Sequence, residues 1–152
     1  MSKLVKIILM TLLLALTAGC GKQYHGPLSL PTVSPETAAN LVIIVERAFF
    51  ADGASFIPAI DGVEAYSLNQ NQYVTILVPP GEHTVTSKFG HVHSHITNKS
   101  VIKISPKNGE TIYLHFIAHQ NIFTDPGPYV SVTRIPEEQA LQLMKEATRV
   151  GP

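Results

Sequence analysis

Three histidines in this sequence are spaced in a way that could bind a metal ion. His91, His93 and His95 alternate with single residues, and on a β-strand this spacing places all three imidazoles on one face. Neighbouring imidazoles on that face are about 6.6 Å apart, so two of them can share one ion at the bond length of ~2.0–2.1 Å typical of zinc. The third lies too far away, and a complete site needs a ligand from another strand.

A second pair of histidines follows in the run 111–119. His115 and His119 are four residues apart, so on a strand they share a face with Tyr113 and Ile117. The residues expected to point into the core are Ile112, Leu114 and Phe116. All five histidines could line one surface that suits zinc, copper or nickel. Two other interpretations stay open, namely a patch that gains charge below about pH 6.5 and solvated polar side chains without a ligand.

The single cysteine points to a different chemistry. Lys3 and Lys6 precede the apolar run 7–16, and small residues lead up to Cys20. This order is typical of a secretory signal. The apolar run is too short to span the ~30 Å hydrocarbon core of a bilayer, so we do not expect a transmembrane helix in the mature chain.

The end of this segment, Leu16-Thr17-Ala18-Gly19-Cys20, resembles the lipobox of bacterial lipoproteins. The resemblance implies that residues 1–19 are a signal peptide and that Cys20 carries the acyl chains. Several acyl chains anchor stably because each buried methylene contributes about 0.8 kcal/mol. Gly21 follows the cysteine where Asp would favour inner-membrane retention, which implies the outer membrane. Thr17 departs from the Leu that is commonest there, and an ordinary secretory signal is the alternative.

The charge balance narrows the class of partner. The chain has 11 Lys+Arg and 11 Asp+Glu, and removal of Lys3 and Lys6 leaves 9 basic residues against 11 acidic ones. A slightly acidic chain does not suit electrostatic binding to nucleic acid. One cysteine also excludes a disulfide framework or a Cys-rich zinc module. The expected partners are the membrane, through the N-terminal lipid, and an envelope protein.

Residues 20–39 are predicted to form the lipidated cysteine and a flexible tether. Pro27, Pro31 and Pro35 recur among Ser, Thr and Gly without apolar periodicity. At about 3.1 Å per residue in an extended polyproline conformation, such a tether reaches at most roughly 60 Å. The alternative is a disordered N-terminus, and both interpretations place this segment outside the folded core.

Residues 40–152 are predicted to form an antiparallel β-sandwich, immunoglobulin-like or transthyretin-like, with a small open barrel as the alternative. The expected strands are Leu41–Glu46, Ser55–Ile60, Val63–Leu68, Gln72–Val78, His83–Phe89, Val101–Ser105, Thr111–Ala118 and Tyr129–Arg134. Pro58 cannot donate to a ladder, so its strand is expected at an edge or bulged.

Turn and helix signals complete the prediction. Asp61-Gly62 predicts a type I′ hairpin. Pro79–Glu82 predicts a type II turn in a second hairpin, and Asn108-Gly109 predicts a third hairpin. A helix is predicted at about 136–149, because two glutamates stand at its start and apolar residues recur at helical spacing. Those apolar residues are Ala140, Leu141, Met144 and Ala147.

Several segments of this domain resemble a family of small bacterial lipoproteins classed as a domain of unknown function. They are Leu41–Arg47, the strand that runs into Asp61-Gly62, the V-P-P-G-E-H-T-V run Val78–Val85, Gly109–Leu114 and Val132–Leu143. The proline-glycine turn followed by H-T-V also resembles carboxypeptidase-regulatory-like and PEGA-like domains. The resemblance implies a compact β-sandwich on a surface protein and no set of catalytic residues.

The sequence therefore predicts a non-catalytic binding or structural module, anchored at Cys20 in the outer membrane and facing the periplasm. The alternative is a lipoprotein that binds a transition metal through the five histidines. An enzyme ranks third, because the chain has neither a G-x-S-x-G nor an H-E-x-x-H motif and no phosphate loop. A catalytic triad assembled from distant segments stays open. Asp52, Asp61 and Glu64 are interpreted as turn and surface residues.

Two aromatic features allow two interpretations each. Phe49-Phe50 could form an exposed tip that binds a partner, or a half-buried pair that packs on the domain. Tyr129 could face a ligand, or it could pack on the domain edge at the start of its strand.

Overall fold

The computed structural model describes residues 32–48, 55–90, 100–119 and 129–151. They form two β-sheets and one short helix near the C-terminus, which confirms the predicted β-sandwich with a C-terminal helix. The signal segment, Cys20 and the pair Phe49-Phe50 lie outside the described residues.

The two sheets contain ten strands of the described chain. In chain order the elements are β1 (Ala39–Val45), β2 (Ser55–Ile60), β3 (Val63–Glu64), β4 (Leu68–Asn69), β5 (Gln72–Val78), β6 (His83–Gly90), β7 (Val101–Ile104), β8 (Thr111–His119), β9 (Tyr129–Ile135), α1 (Glu137–Glu146) and β10 (Thr148–Arg149). The first sheet has the order β10-β5-β1-β8-β9. The second has the order β3-β2-β6-β7, and β4 also pairs with β2.

Strand β1 lies in the middle of the first sheet and is buried on both faces. It pairs antiparallel with β5 and parallel with β8. Leu41 and Ile43 face the core between the sheets, whereas Val42 and Ile44 face the helix. This arrangement confirms the prediction of a buried strand, because a continuous apolar run is stable only where both faces are covered.

Helix α1 crosses the outer face of the first sheet, from the end of β9 to the opposite edge, where β10 joins β5. Ala140 is fully buried, and Leu143 and Met144 pack beside it against the sheet. Leu141 is 47% exposed, so its assignment to the apolar face was wrong. The packed residues at i, i+3 and i+4 define one helical stripe, and Leu141 lies outside it.

The helix also ends earlier than predicted, at Glu146 rather than about residue 149. Asn71 takes a positive φ of 60°, and its Nδ2 donates a 2.7 Å hydrogen bond to the Glu146 carbonyl. The next residues, Thr148–Arg149, extend along the edge of β5 as β10. The helix ends here because the following residues form backbone hydrogen bonds with the open edge of β5. A further helical turn would prevent these hydrogen bonds from forming.

One of the three predicted hairpins is present. Asp61 and Gly62 have φ values of 51° and 82° and join β2 to β3, with Ile60 opposite Val63. Both positive angles are those of the expected type I′ turn.

The other two hairpin predictions were wrong. Residues 79–82 connect β5 in the first sheet to β6 in the second, and residues 105–110 connect β7 in the second sheet to β8 in the first. Gly81 and Gly109 do take positive φ, as turns require. A turn signal marks a reversal of the chain, but it does not say whether the next strand joins the same sheet.

The surroundings of Pro58 also differ from the expectation. Strand β2 lies inside the second sheet, between β6 and the short strands β3 and β4. The expected strand Val63–Leu68 is interrupted at residues 65–67, and the Ala65 amide donates to the Pro58 carbonyl at 2.8 Å. The break in the outer strand accommodates a residue that has no N–H to donate.

The two sheets are linked along one side by Ser100. Its Oγ accepts a 2.8 Å hydrogen bond from the amide of Val132 on β9, and it lies 3.5 Å from the carbonyl of the same residue. Ser100 immediately precedes β7, so this contact joins the edge of the second sheet to that of the first. It also occupies backbone groups of β9 that would otherwise be open to pairing with another chain.

The sandwich has two distinct ends. At one, here called the proximal end, β1 begins beside Val78, and the Gly109 amide donates to the Ala38 carbonyl at 2.9 Å. The turns at 61–62, 79–82 and 105–110 lie at this end. At the other, the distal end, β1, β6 and β8 finish and β2 and β9 begin.

Leu114 and Leu141 provide a matched test of this packing. Leu114 is fully buried between the sheets and Leu141 is exposed. We expect Leu114→Ala to lower the free energy of unfolding by about 2–5 kcal/mol and Leu141→Ala to change it by less than about 0.5 kcal/mol. Denaturant unfolding of both variants measures the difference, and equal losses would contradict the assignment of the two faces.

Candidate functional site

The predicted metal-binding histidines fall in two groups. His91, His93 and His95 lie outside the described residues. His115 and His119 lie on β8, on the outer face of the first sheet. The alternation predicted for this strand is confirmed, because Ile112, Leu114 and Phe116 are buried in the core between the sheets.

His115 is buried on the outer face next to a carboxylate. It lies beside Ile44 on β1 and opposite Thr133 on β9, and its side chain is 5% exposed. Its Nε2 is 2.9 Å from Oε2 of Glu46, but this atom has no hydrogen bond of adequate geometry within the described chain. Burial lowers the pKa of His115 below the ordinary value of 6.5, and the Glu46 carboxylate only partly opposes this effect.

His119, four residues further along β8, has different neighbours. Its ring stacks on Tyr129 with centroids 4.8 Å apart and an angle of 18° between the planes. Its Nε2 lies 2.7 Å from Oγ of Ser131. Tyr129 therefore packs on a neighbouring strand, as in the second of its two interpretations, and it uses one face of its ring to do so.

The structure does not bring His115 and His119 together. They are four residues apart on one strand, which corresponds to about 13 Å, and each is engaged by a different neighbour. Within residues 32–48, 55–90, 100–119 and 129–151, no three His, Cys, Asp or Glu side chains cluster closely enough to hold a metal ion. The described part of the chain thus offers only pairs of such side chains, of which His115 and Glu46 are the one that includes a predicted site residue.

His83, whose ring nitrogens both lie within hydrogen-bond distance of an oxygen, was not among the predicted site residues. His83 begins β6 at the proximal end and is 9% exposed. Its Nδ1 lies 2.7 Å from Oδ2 of Asp61, and its Nε2 lies 2.8 Å from the carbonyl of Pro79. The Asp61-Gly62 turn and the P-P-G-E-H-T run were recognised separately, but sequence offers no means of pairing residues 22 positions apart.

The charges of this pair stabilise each other. Burial disfavours a charged imidazole, but the hydrogen bonds to Asp61 and to the Pro79 carbonyl outweigh it and raise the pKa of His83 above 6.5. The hydrogen bond from His83, assisted by the Thr84 amide, lowers the pKa of Asp61 below 3.8. Because Nε2 is bonded to a backbone carbonyl, this Asp–His pair does not present a base to a nucleophile, as a catalytic triad would.

An open groove lies at the proximal end where α1 begins. It is lined by Thr111, Tyr113, Arg134, Ile135, Pro136 and Glu137. The Tyr113 hydroxyl donates to Glu137 at 3.3 Å, and Arg134 pairs with Glu110 at 2.9 Å. Tyr113 and Arg134 are thus each engaged by a neighbouring carboxylate, and the geometry of the groove does not indicate a particular ligand.

No family model, no curated protein and no solved structure matches the chain. Among the described residues, no helix is long and apolar enough to cross a membrane.

Replacement of His115 tests the consequence of its burial. Its folded-state pKa is lowered, so the unfolded chain binds the proton more tightly and stability falls as the pH drops below 6.5. We expect His115→Gln to remove this part of the acid-induced loss. Unfolding free energies at pH 5 to 8 measure it, with His119→Gln on the same strand face as the control for loss of an imidazole. A difference between wild type and His115→Gln that stays constant with pH would contradict the assignment.

Proposed function

We propose that this chain is a lipid-anchored lipoprotein of the cell envelope, in which a β-sandwich acts as a non-catalytic binding or structural module. The observation that carries the proposal is the sequence Leu16-Thr17-Ala18-Gly19-Cys20 after a charged and apolar leader. In this proposal Cys20 is acylated, residues 1–19 are removed, and the protein lies in the outer membrane facing the periplasm. An envelope protein is the expected partner.

The direction of the strands supports a specific orientation of such a module. The first strand, β1, begins at the proximal end, beside the turns at 79–82 and 105–110. A tether from Cys20 would therefore enter at that end. The distal end, with His119 and Tyr129 on one face, would point away from the bilayer and be presented to partners.

Acyl labelling of the full chain in bacterial cells tests the anchor. We expect an alkyne-tagged fatty acid to label the wild-type protein and Cys20→Ala to abolish labelling, because the lipid is attached to this thiol. Thr17→Leu is the matched control, since it brings the lipobox closer to its commonest form and should retain the label. Labelling that persists in Cys20→Ala would rule out the proposed anchor.

A second candidate function is transition-metal binding. It is favoured by the alternation of His91, His93 and His95 and by the position of Gly90, the end of β6, at the same end of the sandwich as His119. Imidazole ligands suit zinc, copper or nickel. The described histidines do not form the site by themselves, so this candidate depends on the three alternating residues.

Calorimetric titration of the full chain with zinc separates the two candidates. A metal-binding protein should take up zinc stoichiometrically, and joint replacement of His91, His93 and His95 by Ala should remove that binding. His25→Ala, which removes an imidazole from the predicted tether, is the control and should leave affinity unchanged. Equal zinc affinity in the wild type and the triple variant would eliminate this candidate.

A further inference from the structure

Three segments of the proximal end meet at one imidazole. Asp61 belongs to the hairpin turn between β2 and β3, Pro79 begins the crossover from the first sheet to the second, and His83 opens β6. The backbone reinforces the contact, because the Asp61 amide donates to the Thr84 carbonyl at 2.8 Å. In return, the Thr84 amide donates to Oδ1 of Asp61 at 2.8 Å.

The number of protons on His83 decides whether this arrangement is satisfied. Both ring nitrogens face oxygen acceptors, a carboxylate at 2.7 Å and a backbone carbonyl at 2.8 Å. A neutral imidazole has one N–H and one lone pair, whereas an imidazolium has two N–H donors. Neutral His83 therefore leaves one lone pair directed at an oxygen, and only the protonated ring donates to both partners.

No other charged side chain of the described residues substitutes for Asp61 in this contact. Glu82, the preceding residue, is exposed and pairs with Lys103 at 3.0 Å on the outer side of the second sheet. The residue opposite His83 on β7 is Ile104, which is apolar and buried. Within the described part of the chain, Asp61 is thus the one carboxylate that balances the charge of the ring.

We propose that His83, Asp61 and the Pro79 carbonyl form a pH-sensitive latch that holds the two turns of the proximal end together while the imidazole is protonated. Deprotonation breaks one of the two hydrogen bonds of the ring and removes the charge that attracts Asp61. The turn at 61–62 is then released from the crossover at 79–82. The crossover is also bonded to the next connection, because the Gly81 amide donates to the Pro106 carbonyl at 3.1 Å, so the release loosens the end at which β1 begins.

The sign of the pH dependence follows from the two partners. Because the folded-state pKa of His83 is raised, its contribution is complete below 6.5 and is lost as the pH rises through the folded-state pKa. Because the folded-state pKa of Asp61 is lowered, its contribution is present above 3.8 and is lost as the pH falls through the folded-state pKa. The stabilisation by the latch is therefore complete between about pH 4 and pH 6.5. The latch opens as the pH rises above this range through the folded-state pKa of His83.

Nuclear magnetic resonance of the full chain in detergent micelles tests the latch directly. The imidazole signals should give His83 a pKa above 6.5, and Asp61→Asn should lower that value, with each unit equal to a tenfold change in proton affinity. Asparagine tolerates the positive φ of the turn, so this variant keeps the hairpin and changes the charge. Glu82→Gln is the matched control, because it removes a neighbouring carboxylate that does not contact the ring, and it should leave the His83 titration nearly unchanged.

Amide hydrogen exchange reports whether the turns separate. Protection of the Asp61 and Thr84 amides, corrected for intrinsic exchange, should fall between pH 6 and pH 8.5 by up to about tenfold per unit of the His83 shift. Protection of the Leu114 amide in the first sheet should not follow that titration. The latch would be overturned by a wild-type His83 pKa at or below 6.5, by equal effects of Asp61→Asn and Glu82→Gln, or by protection of Asp61 and Thr84 that does not depend on pH.

Discussion

The rest of the structure depends on the burial of β1 on both faces. Alternate residues of this strand enter the core between the sheets, and the others, Val42 and Ile44, would face water without a cover. Leaving such a row of branched apolar side chains exposed would lower the stability of the fold, because burial of each large side chain stabilises the folded state by about 1.5–3 kcal/mol. Helix α1 supplies the cover, and the three-layer order of helix, first sheet and second sheet follows from that requirement.

The path of the helix also determines where polar chemistry is possible on the first sheet. The helix begins at the proximal end beside β9 and finishes at the distal end beside β5, where Asn71 binds its last turn. The part of the outer face that the helix does not cover, on β8 and β9, carries His119, Tyr129 and Ser131. His115 lies nearer the covered region and is buried. The two histidines lie on the same face of β8, yet the position of helix α1 gives them different surroundings.

His83 and His115 illustrate how neighbours, more than burial, decide the state of a histidine. Both are nearly inaccessible to solvent, and burial disfavours the charged ring in both. His83 has an acceptor at each nitrogen and is stabilised as a cation. His115 has one misaligned carboxylate and favours the neutral ring. The crossover at 79–82 provides one acceptor for His83, the Pro79 carbonyl, and the Asp61-Gly62 hairpin provides the other, so a connection that was expected to be a hairpin contributes to this charged site.

The sequence by itself determined the β-rich class, nearly all of the strand positions, the Asp61-Gly62 hairpin and the inward face of β8, whereas the leader and the tether stay predictions. These follow from local properties, namely hydrophobic spacing and the positive φ that certain turns require. Only the tertiary structure decided the sheet to which each strand belongs, the split of the strand opposite Pro58, the early end of the helix and the contact between Asp61 and His83. Each of these depends on partners that are distant in the chain. The local spacing of residue types does not indicate which distant segment supplies a hydrogen bond or a covering side chain.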